Sequence, residues 1–402
     1  MPRTLFSVAL LAAPLLLLSP FRAQAIEGPG GATMDVPETE LLQGIEQLRK
    51  GDTHGALKTL GELTQQQPNF LLAHMFYREV LASISGTTEN LASDSGSNTV
   101  LQDLAEEARL RIAAEKATPA PGTVPSDVLQ LSAQHPYVIL VDLPKARLYL
   151  LRNDSDGKFS LVRQMYAGIG RNGYGKETAG DLKTPVGVYH ITSWIPGKAL
   201  PGLYGAGAFP LSYPNPWDDF KKRGGSGIWL HGVPPDTYVR APRSSEGCVT
   251  MANDDLLALR PYVDAAQQTP VVLSDDLSWK SAQEIHAEKD RFLKNLEAWR
   301  QQWSAVDTEG YLSFYDHDFT TDGMNYAAFS AYKKRVNSLK KYIHIKLSDV
   351  DLYRYPGSNG SLMLVEFTMD YRSNNYDSVT RKQQFWKRGA DGHWKIFREV
   401  QI

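Results

Sequence analysis

The spacing of apolar residues changes twice along the 402-residue chain, and each change marks a different kind of fold. Over residues 39–83 the apolar residues recur at helical spacing, with breaks at a Gly-Asp pair and at a proline. Over about 134–275 they form short β-type runs such as YVILVDLPKARLYLL, separated by many glycines and prolines. From 281 a long helical pattern precedes four alternating β-type runs. The sequence therefore predicts a multidomain protein with helices first, a mostly β domain in the middle and an α+β domain last.

The N-terminal region, residues 26–117, is predicted to be a small helical unit. Four of its small or turn-forming residues resemble the pattern of a tetratricopeptide (TPR-like) unit: Gly44, Gly51, Ala56 and Pro68. One such unit is too short to stack into a solenoid, so a small helical cap is the simpler interpretation. The stretch TPAPGTVPSD then predicts a proline-rich linker over residues 118–133.

The β-rich domain, residues 134–276, contains one helical pattern and one long segment that is rich in glycine and proline. MANDDLLALRPYVDAA predicts a helix with Asn253 as its N-cap. The segment from Pro196 to Gly225 is long for a compact domain, and we expect it to be a mobile loop that covers a cleft. This cover would make contacts through its aromatic residues, Tyr204, Phe209, Tyr213 and Trp217.

The C-terminal region, residues 281–402, begins with a long helix and ends in a hairpin. The Gly389–Gly392 turn joins two aromatic-rich strands. This order predicts a cone-shaped α+β domain, and the runs WRQQWSAVDTEGYLSFYDHDF and WKIFRE resemble the NTF2-like family. We expect most of its aromatic residues to line one concave cavity, and most of them to be core: Trp299, Trp303, Tyr311, Phe314, Phe385, Trp386 and Trp394.

The N-terminus has the pattern of a secretory signal. Arg3 supplies a positive charge, residues 5–18 form an apolar run, and Ala23-Gln24-Ala25 is a small-x-small cleavage site. The run is short for a membrane span, although an uncleaved anchor is the alternative interpretation. We therefore expect residues 1–25 to be a cleaved signal peptide and the mature protein to be periplasmic, without a membrane span.

Cys248 is the only cysteine of the chain. Compartments outside the cytoplasm usually oxidise cysteines into pairs, and a single cysteine has no partner in its own chain. It must therefore form an intermolecular link, be a buried inert residue, or act as a nucleophile.

Other sequence features exclude several classes of function. The formal net charge of −2 argues against a nucleic-acid binder, which would have a basic excess. GIGRNG (168–173) lacks the following helix that a dinucleotide site needs, and GRNGYGKE (170–177) lacks the hydroxyl of a P-loop. Asp316-His317-Asp318 matches no standard ligand spacing, and we interpret it as a turn after an amphipathic helix. We expect no metal and no cofactor.

A histidine and the cysteine lie within one stretch, HGVPPDTYVRAPRSSEGCVTM. A thiol reacts as thiolate, and an imidazolium at hydrogen-bond distance from Cys248 would lower the thiol pKa and later protonate a leaving amine. His231 is the candidate for that role. Gly247 would allow a tight turn and a close substrate approach. The amides of Gly247 and Cys248 are candidate donors to an oxyanion.

Three motifs in this order resemble the L,D-transpeptidase catalytic domain, also called the YkuD domain: GDLKTPVGVY (180–189), HG (231–232) and SEGCVTM (245–251). The resemblance implies a secreted, β-rich cysteine enzyme that attacks the tetrapeptide stem of peptidoglycan and expels the terminal D-alanine. It also implies Cys248 as nucleophile, His231 as base and the carbonyl of Gly232 as the group that orients the imidazole. Ser245 and Gly247 match the small positions of the motif.

The chain departs from the family pattern at two positions. Glu246 stands where the family commonly has histidine, and Thr250 stands where it commonly has arginine. The substrate carries carboxylates, which guanidinium binds bidentately, so Arg243 is a candidate substitute for the missing arginine. We therefore expect Arg243 and Ser245 to contribute to substrate binding.

The resemblance leaves several functions open. An L,D-transpeptidase is the first interpretation. The added NTF2-like domain resembles the arrangement of the cell-shape L,D-carboxypeptidases of helical bacteria, which trim tetrapeptides to tripeptides, and release of a wall-linked lipoprotein is a further alternative. A non-catalytic wall-binding scaffold is the alternative of another class, but it would have no reason to keep both His231 and Cys248. The expected partners are peptidoglycan stem peptides and a lipoprotein or other protein bound by the helical region.

Overall fold

The computed structural model describes residues 35–86, 95–154, 157–321 and 323–402, with side chains omitted for 95–98. The predicted signal peptide, residues 1–25, lies outside the described residues. Among the residues described, no helix combines the length and apolar character needed to cross a membrane.

The N-terminal region is helical, as predicted. Its helices are α1 (Val36–Arg49), α2 (Thr53–Gln66), α3 (Leu71–Ser85) and α4 (Ser95–Lys116). The side chain of Asp52 caps α2 by accepting a hydrogen bond from the Gly55 amide at 2.8 Å, and α2 ends two residues before Pro68. Leu41, Leu60 and other apolar residues of α1–α3 form a small core together with Ala108 of α4 and with Tyr238 and Ala252 of the central domain.

The central domain is mostly β, also as predicted. Its strands and those just before it are β1 (Thr123–Pro125), β2 (Val128–Gln130), β3 (Tyr137–Asp142), β4 (Arg147–Asn153), β5 (Phe159–Tyr166), β6 (Ile169–Gly170), β7 (Gly187–His190), β8 (Ile195–Pro196), β9 (Gly207–Pro210), β10 (Trp229–His231), β11 (Arg243–Ser245), β12 (Val249–Thr250), β13 (Pro270–Ser274) and β14 (Trp279–Ser281). Its helices are α5 (Pro216–Phe220) and α6 (Asn253–Leu259).

The C-terminal domain is an α+β cone, which confirms the predicted fold class. It consists of α7 (Ala282–Ser304), α8 (Thr308–Leu312), β15 (Tyr315–Thr321), β16 (Met324–Asn325), α9 (Tyr326–Asn337), β17 (Ile343–Arg354), β18 (Leu362–Ser373), β19 (Asp377–Arg388) and β20 (Trp394–Gln401). A capping box between Ser281 and Glu284 begins α7. The predicted hairpin turn joins β19 and β20.

The described part of the molecule has five sheets, of which the two largest are the central sheet and the C-terminal sheet; a four-stranded sheet of order β12-β10-β9-β8 lies in the central domain. The central sheet has strand order β5-β4-β3-β13-β7, in which only the β13–β3 pair is parallel. The C-terminal sheet has the order β16-β15-β20-β19-β18-β17-β2. β2 comes from the predicted linker, so residues 118–133 are not a simple linker: β2 pairs with β17, and β1 pairs with β14.

The two sheets share a buried apolar layer, here called the junction core. One face of the central sheet contributes Val138, Leu140, Tyr149, Leu151 and Val272, and the C-terminal sheet contributes Tyr353, Leu364 and Phe385. The alternate residues of β3, Ile139 and Val141, face the core of the central domain instead. Because both faces of β3 are buried, its sequence is an unbroken apolar run.

Most of the aromatic residues named for the C-terminal domain pack in its own core. Trp299, Trp303, Tyr311 and Trp386 are buried against the curved sheet, and Phe314 and Trp394 pack at the margin of that core. Phe385 is the exception, since it lies on the opposite face of β19 and belongs to the junction core. Six of the seven residues thus pack in or against one core, as expected for most of them, and Phe385 is the exception.

The segment from Pro196 to Gly225 is not one open loop. It contains β9, α5 and two 3-10 turns. Phe209 and Tyr213 are buried in the core of the central domain. Trp217 packs on the C-terminal domain, with its ring stacked on Phe385 at a centroid distance of 5.7 Å. Three of the four aromatic residues expected in a cover therefore stabilise the fold instead.

The prediction of a turn at residues 316–318 is also wrong. Asp316-His317-Asp318 lies within β15 rather than in a turn after a helix. Asp316 Oδ1 accepts a hydrogen bond from the Asp318 amide at 2.9 Å, so this carboxylate already has a backbone partner. Within the described ranges, no group of three or more His, Cys, Asp or Glu side chains could hold a metal ion.

Candidate active site

Strand pairing brings His231 and Cys248 to neighbouring positions. His231 is the last residue of β10, and its register partner on the parallel strand β12 is Thr250. Cys248 immediately precedes β12. The amide of Met251 donates to the carbonyl of His231 at 3.1 Å, which fixes the two strand ends together. The sheet therefore brings together, at the ends of adjacent strands, two residues that sixteen intervening residues separate in the sequence.

The His231 imidazole has a defined tautomer. Its Nδ1 lies 2.6 Å from the carbonyl oxygen of Gly232, and because a carbonyl only accepts, Nδ1 carries the proton. Nε2 is then the nitrogen that can accept a proton. Burial lowers the pKa of His231 to about 4, and the charge of Arg240 acts in the same direction. The ring of Tyr204 contacts the imidazole edge-on at a centroid distance of 4.9 Å.

Asn253 holds the turn that positions the Gly232 carbonyl. Its Oδ1 accepts from the amides of Ala206 and Val233 at 2.8 and 3.2 Å, and its Nδ2 donates to the Val233 carbonyl at 2.9 Å. A Cβ atom at Gly232 would lie 2.2 Å from this Oδ1, so the close approach requires glycine. The prediction of Asn253 as N-cap is wrong: Ala252 occupies the N-cap position, and the Asn253 side chain stabilises the site instead.

The loop before Cys248 is braced by Ser245. Ser245 Oγ donates to the Cys248 carbonyl at 2.6 Å and accepts from the Gly247 amide at 3.1 Å. Gly247 has φ +123°, and a Cβ atom there would lie 2.8 Å from the Lys183 carbonyl, so only glycine fits.

These contacts bear on two expectations from the sequence, the oxyanion donors and the role of Ser245 in substrate binding. The Gly247 amide has an acceptor in Ser245 Oγ, so it is not available as the expected oxyanion donor. The Ser245 hydroxyl is buried and makes its hydrogen bonds within the loop, so its contribution to substrate binding stays a prediction. The amide of Cys248 remains the candidate oxyanion donor on this loop.

The Cys248 thiol is half-buried. Burial raises its pKa to about 11, and the carboxylate of Glu246 adds to this effect. A backbone hydrogen bond from Trp229 and the charges of Arg240 and Lys176 oppose the increase without cancelling it. Because the imidazole pKa is low and the thiol pKa is high, both groups are neutral near pH 7. These two pKa shifts favour a neutral thiol and a neutral imidazole over the thiolate–imidazolium pair expected from the sequence.

Arg243 does not point its charge at the thiol. It is exposed, and its Nε lies 3.8 Å from Glu106 Oε1 on α4. Arg240, three residues earlier, is the arginine whose charge affects both Cys248 and His231. The geometry thus does not support the expectation that Arg243 supplies the charge of the missing family arginine. Arg240 is the better candidate to supply that charge.

The two departures from the family motif have different surroundings. Glu246 is exposed beside the thiol. Thr250 is buried, its backbone pairs with Gly168 through hydrogen bonds of 2.8 and 2.9 Å, and a Cβ atom at Gly168 would lie 2.7 Å from its Oγ1. The Thr250 side chain therefore packs inward on Gly168, where a long charged side chain would not fit without rearrangement.

Sequence reasoning missed two further residues near the thiol. Lys176 is 4% exposed, and its Nζ donates to Asp181 Oδ1 at 2.7 Å and to the Thr178 carbonyl at 3.0 Å. Arg240 donates from Nη2 to the Leu203 carbonyl at 3.5 Å. Lys176 lies in the glycine-rich segment that resembles a P-loop, and this local motif was the only available signal.

Two parts of the chain match known domain families. Residues 136–273 match the L,D-transpeptidase catalytic domain (YkuD), and residues 291–400 match the Cds6 C-terminal NTF2-like domain. The class of this protein is thus defined by two joined domains. One is a β-rich domain in which a histidine ends one strand and a cysteine precedes the neighbouring strand, and the other is an α+β cone. The chain belongs to the family that combines a YkuD domain with a C-terminal NTF2-like domain.

Solved structures share this combination. Bd1075 of Bdellovibrio bacteriovorus is 30% identical, with a TM-score of 0.61 over 70% of this chain and 98% of that chain. The helical cell shape determining protein Pgp2 of Campylobacter jejuni is 28% identical, with a TM-score of 0.56 over 69% of this chain and 93% of that chain. No curated protein matches the chain.

Proposed function

We propose that the protein is a periplasmic cysteine L,D-carboxypeptidase, which removes the terminal D-alanine from tetrapeptide stems of peptidoglycan. The observation that carries this proposal is the His231 imidazole, held by the Gly232 carbonyl at 2.6 Å on the strand beside Cys248. This arrangement is a base with a fixed tautomer next to a nucleophile, within a YkuD domain.

The first half-reaction follows from the two neutral groups. Cys248 Sγ attacks the carbonyl of the third stem residue while Nε2 of His231 accepts the thiol proton, so that no free thiolate needs to form. The amide of Cys248 donates to the developing oxyanion. The C–N bond of the tetrahedral intermediate then breaks, and His231 gives the proton to the leaving amine. D-alanine leaves, and the rest of the stem peptide stays bound to Cys248 as a thioester.

The second half-reaction decides between hydrolase and transferase. In the proposed hydrolysis, His231 removes a proton from water, the hydroxide attacks the thioester, and the thiol recovers its proton as the tripeptide leaves. Hydrolysis is supported by the combination with an NTF2-like domain, because this arrangement resembles that of the cell-shape L,D-carboxypeptidases. The relative Pgp2, which shares the arrangement, is described as a helical cell shape determining protein.

Transpeptidation is the second candidate, and it was the first interpretation of the sequence. The match of residues 136–273 to the L,D-transpeptidase catalytic domain supports it. Both reactions use the same acyl-enzyme, and they differ only in whether water or an amine resolves it. Incubation of purified enzyme with disaccharide-tetrapeptide, alone and with an added D-amino acid, separates them. Tripeptide alone supports carboxypeptidase, whereas exchange of the terminal residue or dimer formation would identify a transferase.

Substitution of the two residues tests the chemistry itself. Cys248→Ala should abolish turnover and covalent labelling by a carbapenem, because no other thiol exists in the chain. His231→Ala should lower the rate at least ~10²-fold, the typical effect of losing general acid–base help. Turnover in Cys248→Ala equal to that of the wild type would reject Cys248 as the nucleophile. An absence of turnover in the wild type as well would leave the non-catalytic wall-binding scaffold as the explanation.

A further inference from the structure

A cavity of about 570 Å³ lies where the central and C-terminal domains meet. Its central-domain wall includes Trp217, Lys221 and Arg223, and its C-terminal wall includes Lys387 and Phe397. Its volume lies within the ~300–1,000 Å³ range of small-molecule and peptide sites. Because both domains contribute to its walls, the cavity exists only in the two-domain arrangement.

The cavity is positively charged. The ammonium groups of Lys221 and Lys387 rest over aromatic rings, Trp217 at 5.1 Å and Phe397 at 5.5 Å. Among the described residues, neither lysine has an ion-pair partner within 4.0 Å. A third cation, Arg223, is paired with Asp218 at 3.0 Å.

One carboxylate, that of Asp275, also lines the cavity. Asp275 Oδ1 accepts a hydrogen bond from the Gly357 amide at 2.9 Å. Ser358, Asn359 and Ser361 add polar groups to the C-terminal wall. The lining thus combines one carboxylate with the ammonium groups of Lys221 and Lys387, neutral hydrogen-bonding groups and aromatic faces. The two lysines outnumber Asp275, so the lining suits a carboxylate on an otherwise uncharged scaffold.

The aromatic walls are rigid because they continue into the junction core. The ring of Trp217 stacks on Phe385 at 5.7 Å, and the ring of Phe220 meets Phe397 edge-on at 4.9 Å. Phe385 is fully buried between the two sheets. A ligand would meet preformed surfaces rather than flexible side chains, which reduces the entropy lost on binding.

Two short backbone segments, residues 175–177 and residues 223–227, connect this cavity to the thiol. Gly175 and Arg223 line the cavity, and the Gly224 amide donates to the Glu177 carbonyl at 3.0 Å, which ties the two segments together. Further along the second segment, the Gly227 carbonyl accepts from Cys248 Sγ at 3.4 Å. The cavity and the candidate active site are thus built on the same pair of segments.

We propose that the junction cavity is a second binding site, which takes a carboxylate-bearing peptide of the wall polymer outside the scissile bond. This inference deepens the proposed function and rests on it for the identity of the polymer. One stem peptide reacts at Cys248 while the cavity holds a neighbouring carboxylate-bearing peptide. The protein would therefore act better on the polymeric wall than on single soluble muropeptides.

The test compares the full-length protein with a junction variant, Lys221→Gln/Lys387→Gln, and a matched control, Lys58→Gln/Lys294→Gln. Both control lysines are exposed, and they lie on α2 and α7. The measured quantity is the ratio of turnover on intact sacculi to turnover on disaccharide-tetrapeptide. We expect this ratio to fall about tenfold in the junction variant, as lost charge-assisted hydrogen bonds predict, and to stay constant in the control. An equal ratio in wild type and junction variant would overturn the proposal.

A binding measurement separates this proposal from the proposed function. The three proteins are prepared with Cys248→Ala and co-sedimented with sacculi at low and high ionic strength. We expect the junction variant to bind about tenfold more weakly at low ionic strength, with a smaller difference at high ionic strength, because salt screens exposed charges. Weakened binding without any wild-type turnover would keep the site and reject only the catalytic function. Turnover in the wild type with unchanged binding by the junction variant would reject the site alone.

Discussion

At the scale of single residues, the structure separates what a motif specifies from what tertiary contacts decide. The positions of His231 and Cys248 follow from the sequence, because each terminates or precedes a short β-run within one motif. The surroundings of Arg240 and Arg243 do not follow from the sequence. Arg240 and Arg243 are three residues apart, and Arg243 is directed away by Glu106, a residue of α4 more than a hundred positions earlier. No local pattern encodes that contact.

The same limit applies to the loop around the thiol. Small residues at 245 and 247 were expected, but their hydrogen bonds were assigned to the substrate rather than to each other. Ser245 Oγ satisfies the Gly247 amide and the Cys248 carbonyl simultaneously, and this choice depends on the positive φ of Gly247. Backbone angles of this kind are set by neighbours such as the Lys183 carbonyl, which comes from a distant part of the chain.

Glu246 provides a residue-scale prediction about thiol reactivity. Its negative charge raises the pKa of Cys248, so Glu246→Gln should lower that pKa and increase the thiolate fraction at a fixed pH. Below the pKa, the thiolate fraction rises tenfold for each unit by which the pKa falls, and we expect alkylation by iodoacetamide at pH 8 to accelerate roughly twofold or more.

Mass spectrometry can follow this reaction directly, since Cys248 is the only thiol. The matched control is Glu62→Gln, which neutralises an exposed carboxylate on α2. The acceleration should decrease at high ionic strength, because Glu246 is exposed and its charge is screened. Equal labelling rates for Glu246→Gln and wild type would contradict the electrostatic role of this residue.

At the scale of secondary-structure elements, the long periodic segments were predictable and the short ones were not. The helices α1–α3 and the β19–β20 hairpin have clear periods and clear turn signals. β2 has three residues within a proline-rich stretch, so its period is too short to detect. Its role depends on pairing with β17, more than two hundred residues later, which local propensity does not contain.

β2 gives an element-scale prediction, because a linker and a structural strand respond differently to truncation of a side chain. Leu129 of β2 is fully buried in the core of the C-terminal domain. Leu129→Ala should therefore lower the free energy of unfolding by about 2–5 kcal/mol, the usual cost of a buried leucine-to-alanine change.

Chemical denaturation of the full chain measures this change. The control is Leu339→Ala, since Leu339 is 66% exposed and a surface substitution usually changes the free energy of unfolding by no more than about 0.5 kcal/mol. A similar small effect for Leu129→Ala would mean that residues 118–133 act as a linker after all.

At the scale of the whole molecule, the central and C-terminal domains are joined by a shared core and by strand pairing. The junction core buries apolar residues from both sheets, and β2 crosses from one domain to the sheet of the other. The sequence indicated two domains, but it did not indicate that they share a buried core. An apolar run such as that of β3 indicates burial on both faces, yet it does not specify which neighbour covers the second face.

A buried polar cluster within this junction makes the stability of the whole molecule depend on pH. His190 of β7 lies with Nε2 3.3 Å from Glu366 Oε2 of β18. Arg381 Nη2 is 3.5 Å from both Glu366 and Asp351, and Asp351 also contacts His135 Nε2 at 3.2 Å. Burial alone would lower the pKa of His190, but the charge and hydrogen bond of Glu366 outweigh it and raise that pKa.

The direction of this pKa shift determines the expected pH dependence. A histidine whose pKa is raised in the folded state stabilises that state fully below its unfolded pKa of about 6.5, and this contribution disappears as pH rises through the folded pKa. The partner Glu366 has a pKa well below its usual range, so it stays charged through this window. We therefore predict that the free energy of unfolding of wild type, minus that of His190→Gln, decreases between pH 6 and pH 9.

Chemical denaturation of both proteins at several pH values gives this difference, and subtraction removes the titration of groups common to both. Each unit of pKa shift corresponds to about 1.4 kcal/mol, so the decrease is measurable. In a Glu366→Gln background the partner charge is absent and burial of His190 dominates, so the same difference should instead increase with pH. A difference that is independent of pH in the wild-type background would show that the His190–Glu366 pair does not stabilise the contact between the two domains.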